Sequence, residues 1–272
     1  MKNQRIFILF IMLVSAVAFF MSREPEEEHV MIRMEEDKAT VVMPMEEYMI
    51  GAMAAVIDPE YEIECQKALA VLIRGNLENI RNENEMEIIV EEPYYDFAAR
   101  RKLYGEQQAE YEAKFAEAIE ATAGLIMVSE NHILEGNFHA VSAGVTRDAA
   151  DSDSVPCNKS MEAADFFGQK ELKKEIVGNI GTVEKDDAGY VEEIIVDEKV
   201  LSGEYFREQM ELASANFDIE EKEDAYLIIT RGKGHGMGMD IYYANELAKL
   251  GWNYNQILDY FFKDFILKKI IV

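Results

Sequence analysis

The sequence predicts an α+β fold, a single body of helices and β-hairpins preceded by an apolar N-terminal anchor. Three observations carry this. Segments with helical spacing of apolar residues alternate with short strand-like runs. No internal repeat and no Pro/Gly/Ser linker divides residues 30–272. Hydrophobic residues make up 49% of the 272, enough to bury a sizeable core.

The elements follow in order. Lys2 and Arg5 precede an apolar run from Ile6 to Met21, and an acidic stretch follows Arg23. The run is at the short end of the ~20 residues usual for a spanning helix. Its basic front is expected to stay inside while the rest crosses. Ala16-Val17-Ala18 resembles a signal-peptidase site, but Phe19, Phe20 and Met21 extend the apolar run beyond it. That favours an uncleaved anchor over residues 1–23, an acidic linker over 24–29 and an extracytoplasmic body over 30–272.

Within the body, Val30–Met34 and Ala39–Met43 flank a polar EEDK and read as a hairpin. Met45–Ile57 reads as a helix with Glu46 and Glu47 in its first turn, where acids complement the helix dipole. Glu62–Arg81 is strongly amphipathic, with Ile63, Cys65, Ala68, Leu69, Leu72 and Ile73 near helical spacing. Met86–Val90 reads as a short strand, and Gln107–Thr122 as a helix stopped at Gly124. Leu125–Val128 and Ile133–Val141 make a second hairpin, followed by a polar loop over Ser142–Lys159. Tyr190–Val200 and Ala225–Thr230 are strand-like, and Gly203–Leu212 is helical. Arg231–Asp240 is a glycine-rich turn ahead of helices near Tyr242–Leu250 and Asn255–Phe262.

Composition excludes several functions. The net charge of −26 opposes nucleic acid and anionic lipid. Two cysteines exclude a disulfide-rich scaffold. Cys65 and Cys157 read equally well as one disulfide or as two small apolar residues. The four histidines and two cysteines show no CxxC, HxH or HExxH spacing, so no metal or other cofactor is expected. There is no GxSxG either.

Three segments could carry chemistry: Met43-Pro44-Met45-Glu46-Glu47-Tyr48, Phe138-His139 through Ser142 and Gly144, and Arg231–Asp240, in which four glycines surround His235. The last lacks both GxGxxG and GK[ST], so it reads as a loop presenting His235 while packing closely on a ligand or another backbone.

Together these segments resemble the stage II sporulation protein D family, the SpoIID/LytB domain. Its P-x-E-E/D-Y-x-x-G opening is matched by Pro44 to Gly51, its FHS-x-S-G-G by Phe138-His139, Ser142 and Gly144. Its GHG-x-GM-S-Q-Y-G-A close is matched by Gly234-His235-Gly236, Gly238-Met239, Tyr242 and Ala244. Lys67-Ala68, Ala70-Val71 and Arg74, then Val155-Pro156 with Ser160, then Leu201-Ser202-Gly203 with Phe206-Arg207, then Ser214 and Phe217, match further family segments in order.

The resemblance implies a membrane-anchored factor of spore-forming bacteria, working in the septal intermembrane space. The family cuts peptidoglycan glycan strands, as a lytic transglycosylase, after an amidase has removed their peptides. Glycan strands, a cell-wall amidase and septal membrane proteins are thus the expected partners, with residues 6–21 in the membrane. One carboxylic acid protonates the glycosidic oxygen and then acts as base while the sugar's 6-hydroxyl closes a ring.

This chain departs from the family at that acid, because the family's glutamate position falls on Val56 in either direction of counting. Asp58 and Glu60 are fallbacks, whereas Glu47 lies roughly 13 Å away along the helix axis. Ala140, Ala143, Cys157 and Ile241 also replace family residues. The expected function is therefore a glycan binder or scaffold of degenerate catalysis. The alternatives are an active enzyme with a displaced acid and a protein-interaction domain only. Glu47, Arg74, His139, Ser142, His235 and Tyr242 are the expected substrate-binding residues.

Overall fold

Pro44 opens the first helix of the body, and the acids behind it explain why the helix starts there. Helix α1 (Met45–Val56) carries Glu46 and Glu47 in its first turn, ends on extended Ile57 and is followed by Pro59. The structure, a computed structural model, describes residues 29–33, 40–83, 88–90, 94–130 and 132–270. Strands β1 (His29–Arg33) and β2 (Thr40–Pro44) form the expected antiparallel hairpin, with β3 (Ile89–Val90) parallel to β1 on its other side. The apolar run Ile6–Met21 and the acidic linker lie outside the described residues. Among the described residues no helix is long and apolar enough to cross a membrane.

The amphipathic segment folds as α2 (Ile63–Glu83) and becomes the axis of the larger core. Cys65, Ala68, Leu69, Val71 and Leu72 are buried on it. Around it pack α1, α4 (Gln108–Ala121) and β4 (Leu125–Ser129), and from the other end of the chain α7 (Ile241–Lys249) and α8 (Tyr254–Phe261). Gly124 follows α4 at φ +69, as its position predicts. Helix α3 (Phe97–Tyr104) escapes the sequence reading because most of it is exposed, so apolar periodicity is weak. Asp96 caps it, accepting from the Ala99 amide at 2.7 Å.

The second predicted hairpin is shorter than expected. Only β5 (His132–Ile133) pairs with β4, whose other edge takes β14 (Ile266–Lys269). The continuation β6 (Phe138–His139) instead pairs in parallel with β13 (Met239–Asp240).

A second core forms from the middle of the chain. Strands β7 (Phe167–Lys173), β12 (Ala225–Arg231) and β11 (Phe217–Glu221) make one antiparallel sheet. Strands β8 (Ile180–Lys185), β9 (Val191–Val196) and β10 (Lys199–Ser202) make another. Between β7 and β8 runs the one-turn α5 (Lys174–Val177), and α6 (Gly203–Gln209) follows β10. Val191, Ile194, Phe206, Phe217 and Ile228 fill this core. The single strand expected over Tyr190–Val200 is two strands, broken at Asp197 and Glu198 with φ of 46° and 68°.

Cys65 and Cys157 are both buried and unpaired, so the disulfide alternative falls. Burial first, then the charge of Asp240, pushes both thiols far above their usual range and leaves them protonated.

Candidate functional site

The glycine-rich loop is the seam between the two cores. Lys233 exchanges backbone hydrogen bonds with Val141 on one side, at 2.6 and 3.1 Å. On the other, Gly234 donates to Ala213 at 2.8 Å. Arg147 donates to Gly236 at 2.9 Å and Met239 to Asn137 at 2.9 Å. All four glycines sit at positive φ. At Gly236 a Cβ would lie 2.3 Å from the Tyr190 ring, and at Gly238 2.0 Å from the Asn137 carbonyl oxygen. Of the two uses the spacing left open, close approach to another backbone is what these glycines provide.

The loop delivers His235 against His139, with ring centroids 5.7 Å apart. His139 is buried at the end of β6, and its Nδ1–H donates to the Met237 carbonyl at 2.9 Å. His235 Nδ1 accepts from the Met237 amide at 3.0 Å. Burial lowers the pKa of both, against the pull of Asp240 on His139. For His235 burial acts first, then His139, and Glu204 opposes them, leaving a value of about 4.

Both rings are neutral at pH 7, which sets the pH dependence of stability. His235 has its folded pKa below the unfolded value of about 6.5, so protons favour the unfolded chain. Its contribution is complete above about pH 6.5 and is lost as pH falls toward 4, by about 3 kcal/mol in all. Urea midpoints are expected to fall steadily from pH 6.5 to 5, before most carboxylates titrate. In His235→Gln that interval is expected to be flatter, and an unchanged slope would reject this origin.

Asp240 organises the groups around the pair. It is fully buried at the start of α7. Its Oδ1 accepts from the Tyr243 amide at 2.9 Å, capping the helix. Its Oδ2 accepts from the Ser142 amide at 2.9 Å and the Ser160 hydroxyl at 2.5 Å. Ser142 is thus buried in the support of the site, where its Oγ accepts from the Gly144 amide at 3.3 Å. The Tyr242 amide donates to the Ala140 carbonyl at 3.1 Å, and Tyr242, half-buried, packs against the cluster of Val141, Ala163 and Phe166.

A second face lies beyond α1. Val56 ends that helix and is 39% exposed. Asp58 Oδ1 accepts from the Glu60 amide at 2.9 Å, and Glu60 Oε1 from the Tyr111 hydroxyl at 2.8 Å. Tyr61 is half-buried there. Burial, then the charges of Cys65, Asp58 and Asp165, with Tyr242 also near, push its phenol far above the usual range. Asp165, whose charge reaches Tyr61, pairs with Lys233 at 3.3 Å.

Glu47 and Arg74 lie away from the histidine pair. Glu47 Oε1 takes the Arg100 guanidinium at 2.6 Å, and Glu112 takes it from the other side at 2.6 Å. Arg100 is 1% exposed, so this network ties α1, α3 and α4 together. Arg74 is buried and donates to the carbonyls of Thr122 at 2.7 Å and Ile119 at 3.0 Å. It clamps the open C-terminal end of α4 instead of facing a ligand. Sequence reasoning passed over Asp240 and Arg100. Asp240 carried a signal, an aspartate directly ahead of a helical apolar pattern. Arg100 carried none, because its acid partners are remote in sequence. Among the described residues, no group of His, Cys, Asp and Glu is arranged to hold a metal ion.

The family model described as stage II sporulation protein matches residues 34–128, the helical part from the first hairpin through β4. The chain is 27% identical over 251 residues to stage II sporulation protein D of Bacillus subtilis (strain 168), covering 81% of this chain and 73% of that protein. It is 26% identical over 251 residues to stage II sporulation protein D of Bacillus amyloliquefaciens, with the same coverage. An uncharacterized protein of Brachyspira hyodysenteriae is 22% identical over 245 residues, covering 80% of this chain and 65% of its own. The ordered motifs converge on one seam, and over most of its length the chain is similar in sequence to stage II sporulation protein D.

Proposed function

We propose that this protein binds peptidoglycan glycan strands during wall remodelling in sporulation, with transglycosylase activity much reduced or lost. The observation that carries the reading is Val56. The position where the family resemblance places the catalytic acid ends α1 as an exposed valine, which transfers no proton. The nearest carboxylates are engaged locally, Asp58 in its own turn and Glu60 with Tyr111. The histidine pair and the seam that holds it are present. Loss of the acid with retention of the frame favours binding over cleavage. The reading places the chain at the septal membrane through residues 6–21, beside the amidase that strips the strands.

A second reading, cleavage with a displaced acid, draws on Asp58. Its charge reaches Tyr61 and also Tyr104, whose phenol is pushed up to about 12 by burial and then Asp58. One experiment separates them. Full-length protein in detergent is incubated with peptide-stripped glycan strands, which are then assayed for 1,6-anhydro ends and for co-sedimentation. Binding without anhydro ends is the expected result. Anhydro ends would overturn the loss of catalysis, and absence of both would leave a protein-interaction role.

A further inference from the structure

Among the described strands, charge guards every longer sheet edge but one. An unpaired edge offers a row of free backbone groups to any other strand, and charged side chains along it hinder such pairing. Lys170, Glu171 and Lys173 lie on β7, and Asp218, Glu220 and Glu221 on β11. Glu184 and Lys185 lie on β8, Lys199 on β10, and Lys268 and Lys269 on β14. Strand β2 is different. It reads Thr40-Val41-Val42-Met43-Pro44, without a charge, and among the described residues only β1 pairs with it. Met43 packs against the larger core, so Val42 stands on the opposite face, where it is 57% exposed; Val41 is 38% exposed. Apolar, β-branched and open, this edge has the composition of a strand that pairs.

We propose that β2 is a dimer edge, on which β2 of a second copy pairs antiparallel and joins two three-stranded sheets into one of six. Three observations favour a second copy as the occupant. The strand suits itself, since identical uncharged residues meet and no like charges face each other. The other edge of the sheet, β3, is two residues long, so growth stops at two copies. The apolar run ends seven residues before His29, so where residues 6–21 hold the chain in a membrane, β1 starts within roughly 28 Å of it. Anchored copies then meet with their hairpins at one level. That confinement matters, because a five-residue edge is far smaller than a stable interface of about 1,200–2,000 Å². The net charge of −26 repels at long range, but salt screens it beyond about 8 Å. The pairing goes beyond the glycan reading and takes from it only the anchor. The pleat fixes the register. Opposed residues of a sheet share a face, so in a two-fold antiparallel pair a residue on the axis meets its own copy. Full overlap of Thr40–Pro44 puts Val42 on that axis, with Val41 opposite Met43 of the partner subunit.

The test uses full-length protein with single cysteine substitutions, reconstituted in phospholipid vesicles and oxidised with copper phenanthroline. Cys65 and Cys157 are buried, so the introduced thiol is the one that reports. Val42→Cys is expected to give a disulfide-linked dimer, because directly opposed Cα atoms lie about 4.5–5.5 Å apart, within disulfide reach. Val41→Cys is expected to cross-link about tenfold less, since its own copy lies on the diagonal about 7–8 Å away. Equal cross-linking at the two positions would mean random collision and would overturn the pairing. Absence of a Val42→Cys dimer in a chain that floats with the vesicles would overturn it too, and leave the anchor standing. Absence of a dimer in a chain that does not float would overturn pairing and anchor together. Both valines are exposed, so neither substitution opens the core. Co-sedimentation of the same variants with peptide-stripped strands reads glycan binding separately.

Discussion

Val56→Glu is expected to raise production of 1,6-anhydro ends from peptide-stripped glycan by about 10²- to 10⁴-fold, the usual worth of a positioned general acid. The structure accommodates the change. Val56 is exposed, so no core volume is disturbed. It is the last residue of α1, where the negative end of the helix dipole disfavours a carboxylate by about 0.3–1 kcal/mol. That small cost has a use, because it holds the acid protonated nearer neutral pH, as a group that protonates a glycosidic oxygen requires. Val56→Gln has the same size and polarity but no proton to give, and is expected to stay at background. A gain in the glutamate variant alone would show that only the acid was lost from an intact cleft. No gain, with strands still bound, would show that the cleft itself had become a binding surface.

Gly238→Ala is expected to destabilise the fold by about 4 kcal/mol or more, enough to unfold a marginal domain. The added Cβ would stand 2.0 Å from the Asn137 carbonyl oxygen and 2.6 Å from its carbon, and both are backbone atoms without a rotamer to change. That carbonyl also accepts the Met239 amide at 2.9 Å, in the parallel pairing of β6 with β13, so relief of the clash breaks the seam. A left-handed φ of +68 adds about 1 kcal/mol. Gly251→Ala is the control, since Gly251 has φ +89 with nothing within 4 Å of its added Cβ. It is expected to lose only about 1 kcal/mol. Urea unfolding of the two variants tests this, and equal losses would show that the close approach at Gly238 is not what the seam depends on.

Legibility in the sequence followed burial. Helices with a continuous apolar face, α1, α2, α4, α7 and α8, were visible because their side chains face one core with helical spacing. Strand β7 reads FGQKELK, and most of its residues are exposed, so apolar alternation hardly marks it. Strand β8 is similarly exposed and β11 is rich in acids, although each pairs with the next strand in the chain, whereas β7 takes its partner β12 from far along it. The hairpin turn at Asp197 and Glu198 was hidden because neither is a glycine, although both adopt positive φ.

The candidate site divides in the same way. The sequence by itself determined the family resemblance, the valine at the expected acid position, the glycines of the seam loop and the presence of His139 and His235. These follow from residue identity and local spacing, which the chain carries directly. Only the tertiary structure decided which of the expected binding residues meet. It brought His139 and His235 into ring contact, gave Glu47 to Arg100, and used Arg74 to clamp the end of α4. It also placed Asp240 under Ser142 and Ser160. The physical reason is that a buried polar group takes its role from the partners that satisfy it, and here those partners lie tens of residues away in sequence.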